Sequence, residues 1–96
     1  MELNDYRARL DVIDRKILSL FAERMDIVAE IARWKQENQL PVLDSGREEE
    51  KLRQVEAESP PALAGYSRKL FSVLMELSRN RQESILHGEN EDQEVI

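Results

Sequence analysis

The chain of 96 residues contains no cysteine, and it has only three glycines, three prolines, one tryptophan, two tyrosines and two phenylalanines. Without cysteine there is no disulfide bond, thiolate metal site or cysteine nucleophile. So few glycines and prolines argue against a fold of many short strands joined by tight turns. The sequence also lacks an apolar run of the roughly 18 residues that a transmembrane helix needs, so we expect no membrane association.

Residues 1–5 are acidic and have no apolar core, so we expect no signal peptide and a cytoplasmic protein. Hydrophobic residues make up 41% of the chain and charged residues 35%, a balance that suits one soluble, helix-rich domain. The net charge of −6 argues against nucleic-acid binding, which needs a basic face. It leaves room for a small anionic substrate, because the local charge of a pocket decides that.

The spacing of apolar residues predicts an all-α protomer of three helices. The first helix, from Asn4 to about Asn38, contains neither glycine nor proline, and Asn4 or Asp5 can cap its start. Its apolar stripe advances in steps that alternate between three and four residues. The members of the stripe are Leu3, Tyr6, Leu10, Ile13, Ile17, Leu20, Ile27, Ile31 and Trp34.

Two shorter helices follow the break around Pro41. The second helix is predicted from about Arg47 to Ala57, and the third from about Ala62 to Leu86. We expect residues 1–86 to form the helical domain and the acidic, aperiodic residues 87–96 to form a flexible tail.

The length of the first helix predicts a dimer. A helix of roughly 33 residues is about 50 Å long, whereas a compact domain of this size has a diameter of roughly 30 Å. The apolar stripe would therefore extend beyond a monomeric globule and stay exposed. A second copy of the chain, paired along the first helix, covers it. A plain antiparallel coiled coil would satisfy the same argument, so this step predicts architecture and no activity.

Polar residues interrupt the apolar stripes at four positions. Arg24 occupies a seam position of the first helix, and Lys35 lies about three turns further along the same face. Such cations could hold an anion, but Arg24 could also reach into solvent or pair with a glutamate, and Lys35 could be a solvated residue of the last turn. In the third helix, Ser78 and Gln82 stand where apolar residues are due, either as pocket donors or as a helix end turning towards solvent.

The junction before the second helix contains Asp44, Arg47 and Glu48. Capping explains part of it, with Asp44 or Ser45 as the cap and Glu48 closing a capping box. Arg7 has no distinguishing position and by itself would be a surface arginine.

Taken in order, these residues resemble the all-α, AroQ-type chorismate mutases over roughly residues 3–86. The run that carries the resemblance is Arg7, Asp14, Glu23, Arg24, Lys35, Pro41, Val42, Asp44, Arg47, Glu48, Ser78 and Gln82. The resemblance implies an intertwined homodimer whose pockets are built from both chains. It also implies an isomerase that needs no cofactor or metal and converts chorismate to prephenate, an early step of phenylalanine and tyrosine synthesis.

The resemblance also implies a role for each residue. Arg24, and Arg7 from the partner chain, would bind the two substrate carboxylates, with Ser78 adding a hydrogen bond. Lys35 and Gln82 would donate to the ether oxygen as its bond breaks. Glu48 and the Asp44 region would hold the ring hydroxyl. Arg47 would line the pocket and orient the acidic groups.

Two other functions remain open from the sequence. Isochorismate-pyruvate lyase is an enzyme of the same fold with a similar arginine and lysine set, although Glu48 favours the mutase because it can hold the ring hydroxyl. A non-enzymatic helical dimerisation module would explain the long stripe, but it would not explain why Arg24, Lys35, Ser78 and Gln82 converge.

Overall fold

A computed structural model describes residues 2–87 as three helices and no strand. Helix α1 spans Leu3–Glu37, α2 spans Ser45–Glu58 and α3 spans Ala64–His87, with a short 3₁₀ turn over Pro61–Leu63 before α3. The prediction of an all-α, three-helix protomer is confirmed. Helix α3 includes His87, one residue beyond the predicted domain boundary, and the rest of the predicted tail lies outside the described residues.

Helix α1 begins two residues earlier than its predicted caps allow. Glu2 is the N-cap residue, so the prediction that Asn4 or Asp5 caps the helix is wrong. Asp5 is the third helical residue, and its Oδ2 accepts a hydrogen bond from the backbone nitrogen of Glu2 at 2.9 Å. An acidic side chain reaching back in this way stabilises the helix start through both the hydrogen bond and the helix dipole.

Helix α1 ends in a Schellman motif rather than directly at Pro41. The backbone nitrogen of Leu40 donates to the carbonyl of Lys35 at 2.8 Å, and that of Gln39 donates to Gln36 at 3.2 Å. This pattern requires a residue with a left-handed backbone conformation immediately after the end of the helix. Gln39 has that conformation, with φ of 57°, although glycine is the usual occupant.

Helix α3 lies between the other two helices and packs against both. Its contact with α1 is built from small or slender residues: Val28, Ala29 and Ala32 are the buried residues of α1, and Met75 is the buried apolar residue of α3. The chain is flat, with extents of 53 × 38 × 15 Å and a radius of gyration of 16.8 Å. A compact domain of this length has a radius of gyration of about 12–13 Å.

The N-terminal half of α1 has no packing partner among residues 2–87, since every residue from Glu2 to Leu20 is exposed. The apolar stripe predicted for the first helix therefore does not face α3, and its members are 41% to 64% exposed. The apolar side of α3 is similarly exposed at Tyr66 and Leu70, as is Leu63 in the preceding 3₁₀ turn. None of the helices within residues 2–87 is long and apolar enough to cross a bilayer.

An ion-pair cluster joins α2 to α3. Arg68 of α3 bonds Glu56, and it also bonds Glu49 at 3.2 Å. The hydrogen bond to Glu56 is the main reason why the pKa of Arg68 lies above its ordinary value, with the charge of Glu49 acting in the same direction. Because these side chains are substantially exposed, we assign the cluster a role in helix alignment rather than a large share of stability.

The left-handed Gln39 gives a stability test with a matched control. Gln39→Gly should raise the free energy of unfolding by up to about 1 kcal/mol, because glycine adopts this conformation without a steric cost. Gln36→Gly makes the same exchange inside the last turn of α1 and should lower the free energy of unfolding by about 0.5–1 kcal/mol. Denaturant titration measures both. Equal effects of the two variants would contradict the role given to Gln39.

Candidate functional site

A cleft of about 280 Å³ opens where the C-terminal half of α1, the start of α2 and the second half of α3 meet. Its wall combines charged, polar and aliphatic side chains. The residues that line it are Arg24, Val28, Ile31, Lys35, Val42, Asp44, Arg47, Glu48, Lys51, Met75, Ser78, Arg79 and Gln82. Every site residue predicted from the sequence is in this set except Arg7, which lies on the exposed N-terminal half of α1.

Helix α1 supplies two cations to the cleft. The guanidinium of Arg24 donates to the Oγ of Ser78 on α3, and the Nζ of Lys35 donates to the carbonyl oxygen of Val42 at 2.7 Å. Neither cation forms an ion pair with a carboxylate within residues 2–87, so both keep their charge available to a ligand. From the sequence, Arg24 and Lys35 could either point into solvent or line a pocket. The structure places both side chains on the wall of the cleft.

Helix α3 supplies two buried polar side chains, Ser78 with 8% exposure and Gln82 with 6%. The Oγ of Ser78 donates to the carbonyl of Leu74 at 2.8 Å, which fixes the hydroxyl while it accepts from Arg24. The Oε1 of Gln82 is buried and has no hydrogen-bond partner within residues 2–87. A buried amide of this kind has hydrogen-bonding capacity that a ligand in the cleft can use.

The start of α2 is held by Asp44. Its Oδ1 accepts from the backbone nitrogen of Arg47 at 3.0 Å, so Asp44 is the N-cap residue and Ser45 is the first helical residue. The predicted capping box between Ser45 and Glu48 does not form, because the carboxylate of Glu48 bonds Arg79 on α3 instead. The cap therefore positions the backbone from which Arg47 and Glu48 enter the cleft.

The side chain of Arg47 lines the cleft, but its guanidinium bonds Glu50 at 2.8 Å in a largely exposed pair. Arg79, and not Arg47, is the arginine that bonds Glu48. The sequence therefore identified the acidic residue but not its partner.

Lys51 and Arg79 are the charged lining residues that sequence reasoning missed. A signal for both was present. Lys51 follows Glu48 by three residues, and Arg79 precedes Gln82 by three, so each shares a helix face with a residue that the sequence assigned to the pocket. What the sequence could not supply was the packing of α2 against α3, which turns those faces towards the same space.

The electrostatic character of the cleft is opposite to that of the chain. Its lining carries five cations, Arg24, Lys35, Arg47, Lys51 and Arg79, against the carboxylates of Asp44 and Glu48, whereas the whole chain has a net charge of −6. The aliphatic wall of Val28, Ile31, Val42 and Met75 lies among these charges. A cleft of this kind suits a small dianion with an apolar body.

Comparison with known proteins gives two matches. A family model described as "Chorismate mutase type II" matches residues 6–83. The chain is 36% identical over 75 residues to the T-protein of Haemophilus influenzae, an alignment that covers 76% of this chain and 19% of that protein. The chain thus spans about one fifth of the length of this curated relative. No solved structure matches the chain at a significant level.

The N-cap at Asp44 gives a second stability test. Asp44→Ala removes the acceptor for the Arg47 backbone nitrogen and should lower the free energy of unfolding by about 1 kcal/mol. Asp44→Asn keeps a capping oxygen and should remain close to the wild type. Denaturant titration of the three proteins checks this. If the Asn and Ala variants are equally destabilised, capping is not what this carboxylate contributes.

Proposed function

The chain belongs to the type II chorismate mutase family, and on that premise we propose that it converts chorismate to prephenate. The reaction is a Claisen rearrangement within one molecule: the ether C–O bond breaks while a C–C bond forms between the enolpyruvyl arm and the ring. Electrons move around a six-membered cycle, so no nucleophile or redox partner takes part. The observation that carries the proposal is the convergence of Arg24, Lys35, Ser78 and Gln82 on one cleft.

Binding of the two substrate carboxylates sets the reactive geometry. Chorismate must fold its enolpyruvyl arm over the ring before it reacts, and fixing both carboxylates selects that conformer. Arg24 binds one of them, supported by the Ser78 hydroxyl, which already contacts its guanidinium. A planar guanidinium is suited to this task because it can donate two parallel hydrogen bonds to a carboxylate.

Lys35 and Gln82 act on the ether oxygen, which gains negative charge as the C–O bond breaks. Lys35 uses one of its three N–H groups on the Val42 carbonyl, which holds the ammonium group in place and leaves two donors. The buried Gln82 amide faces the same cleft and can donate through Nε2. Donors fixed before the reaction stabilise the transition state more than the ground state, because the charge that they contact grows during the reaction.

The Glu48 carboxylate accepts a hydrogen bond from the ring hydroxyl of chorismate. Glu48 lines the cleft from α2, and the Asp44 cap holds the backbone beside it. Arg47 lines the same part of the wall. A carboxylate acceptor on this wall supports the mutase over an isochorismate-pyruvate lyase, because it can hold the ring hydroxyl of chorismate.

A second copy of the chain completes each cleft. The exposed apolar half of α1 and the exposed side of α3 support a homodimer, because a soluble protein seldom leaves such a surface uncovered. Arg7 lies on that uncovered half of α1, and pairing of two chains along it would carry Arg7 to the partner's cleft, where it binds the second carboxylate. We propose that the resulting homodimer works in the cytoplasm at an early step of phenylalanine and tyrosine synthesis.

Lys35→Ala gives the first test of this mechanism. It should leave the helical content and dimerisation unchanged and lower kcat by about 100-fold or more, the usual loss when one preorganised donor to a developing anion is removed. Arg53→Ala removes a cation from the exposed side of α2, outside the cleft, and should leave kcat unchanged. Loss of chorismate absorbance, with prephenate identified as the product, measures the rate.

The same assay with isochorismate tests the lyase. Release of pyruvate from isochorismate at a higher kcat/KM than chorismate turnover would replace the mutase proposal. A folded Lys35→Ala protein with wild-type turnover would contradict the mechanism.

Complementation tests whether the cleft is shared between two chains. Arg7→Ala and Arg24→Ala should each be nearly inactive alone. In a mixed dimer, one cleft keeps both arginines and the other has neither, so a randomly reassociated equimolar mixture should recover about one quarter of the wild-type activity. Two Arg24→Ala preparations mixed in the same way serve as the control. Verified mixed dimers without recovered activity would exclude a shared cleft.

A further inference from the structure

The carboxylate of Glu48 is held from across the helix interface by Arg79, a residue to which neither the sequence nor the proposed mechanism assigns a role. The guanidinium of Arg79 on α3 donates to Oε1 of Glu48 on α2, and both side chains line the cleft. We propose that Arg79 is a positioning residue that directs Glu48 towards a neutral hydrogen-bond donor and so selects a ring hydroxyl over a ring ammonium group. This inference rests on the proposed mutase function.

The geometry supports the positioning role. Glu48 has three side-chain torsions, and its backbone alone would leave the carboxylate free to sample several directions. The bond to Arg79 engages Oε1, while Oε2 retains its capacity to accept. The pair is only partly exposed, with 33% for Arg79 and 25% for Glu48, so solvent competes less with it than with a surface pair.

The neighbouring charged groups are bonded to other partners. The Asp44 carboxylate accepts from the backbone of Arg47, whose guanidinium bonds Glu50. The amine of Lys51 donates to Gln54 at 3.0 Å. Arg79 is therefore the cleft cation that the structure places on Glu48.

The local charge explains the selectivity. An unpaired carboxylate would attract an ammonium group on a substrate strongly. Because Arg79 already neutralises Glu48, and because Lys51, whose hydrogen-bond partner Gln54 is uncharged, adds positive charge to the same wall, an ammonium group would gain little attraction and meet repulsion. A hydroxyl carries no charge and needs only the free acceptor, so it is favoured.

A matched control exists on the same two helices. Arg68 of α3 bonds Glu56 of α2, with side-chain exposures of 38% and 39%, but neither residue lines the cleft. Arg68 also pairs with Glu49, so Arg68→Gln removes two α2–α3 ion pairs without touching the site, at least as large a loss of helix contact as Arg79→Gln causes. An effect of Arg79→Gln that arises only from loosened helix packing should appear in both variants.

The experiment measures kcat/KM of the full chain for two substrates: chorismate, and the same ring diacid with an amino group in place of the ring hydroxyl. Arg79→Gln should lower kcat/KM for chorismate by about 10-fold or more, and Arg68→Gln should change it by less than about twofold. Arg79→Gln combined with Glu48→Gln should be no more than about twofold below Glu48→Gln alone, because Arg79 acts through Glu48.

The substrate preference should change in opposite directions in the two single variants. Arg79→Gln should shift the ratio of kcat/KM values towards the amino substrate by about 10-fold. Glu48→Gln leaves Arg79 unpaired and should shift the ratio towards the hydroxyl substrate. A purely structural role for the pair would move both variants in the same direction.

Arg79→Lys keeps the test decisive if Arg79→Gln does not fold. It retains the charge, so it should keep the hydroxyl preference within about twofold while losing less activity than Glu48→Gln. A folded Arg79→Lys protein that loses the preference, an Arg79→Gln protein with wild-type kcat/KM, or full additivity in the double variant overturns the inference alone. A wild-type chain that does not convert chorismate overturns the proposed function together with it.

Discussion

Helix α1 has 35 residues, and in the described part of the chain, residues 2–87, only its C-terminal half packs against another helix. This constraint determines the rest of the structure. The covered half, together with α2 and α3, forms the cleft and supplies Arg24 and Lys35 to it. The uncovered half exposes a continuous apolar surface and carries Arg7. In our proposal one event, the pairing of two chains, buries that surface and delivers the missing arginine.

The cleft concentrates positive charge beside aliphatic side chains. This arrangement costs free energy while the cleft is empty, and an anionic ligand would offset that cost. Charges lining such a wall are costly unless something compensates them. Here the compensation is partial: Ser78 contacts Arg24, the Val42 carbonyl contacts Lys35, and Glu48 contacts Arg79. Each contact fixes a side chain without cancelling the positive charge on the α1 side. A reaction that needs only conformational selection and charge stabilisation suits such a site, because its groups are already oriented.

The sequence predicted the parts of this site that interrupt a helical period, and it missed the parts that depend on how helices cross. Arg24, Ser78 and Gln82 were recognisable because each polar residue stands in an apolar stripe, and all three line the cleft. Arg79 does not interrupt an apolar stripe. Its contribution to the site depends on its ion pair with Glu48, which lies on another helix. The sequence also failed to predict which residues cap the two ends of α1. Glutamate is an uncommon N-cap residue, and glutamine is uncommon in the left-handed conformation that Gln39 adopts. Residue propensities therefore did not identify Glu2 or Gln39.

A crystal structure of the chain with a bicyclic dicarboxylate that mimics the rearrangement transition state would show whether two chains share each cleft. We expect two chains paired along α1, with one ligand in each cleft. One ligand carboxylate should contact Arg24, the other should contact Arg7 of the opposite chain, and the ether oxygen should lie within hydrogen-bond distance of Lys35 and Gln82. A monomeric protein that binds the ligand in the same cleft without any group from a second chain would contradict this expectation, as would a ligand bound away from the cleft.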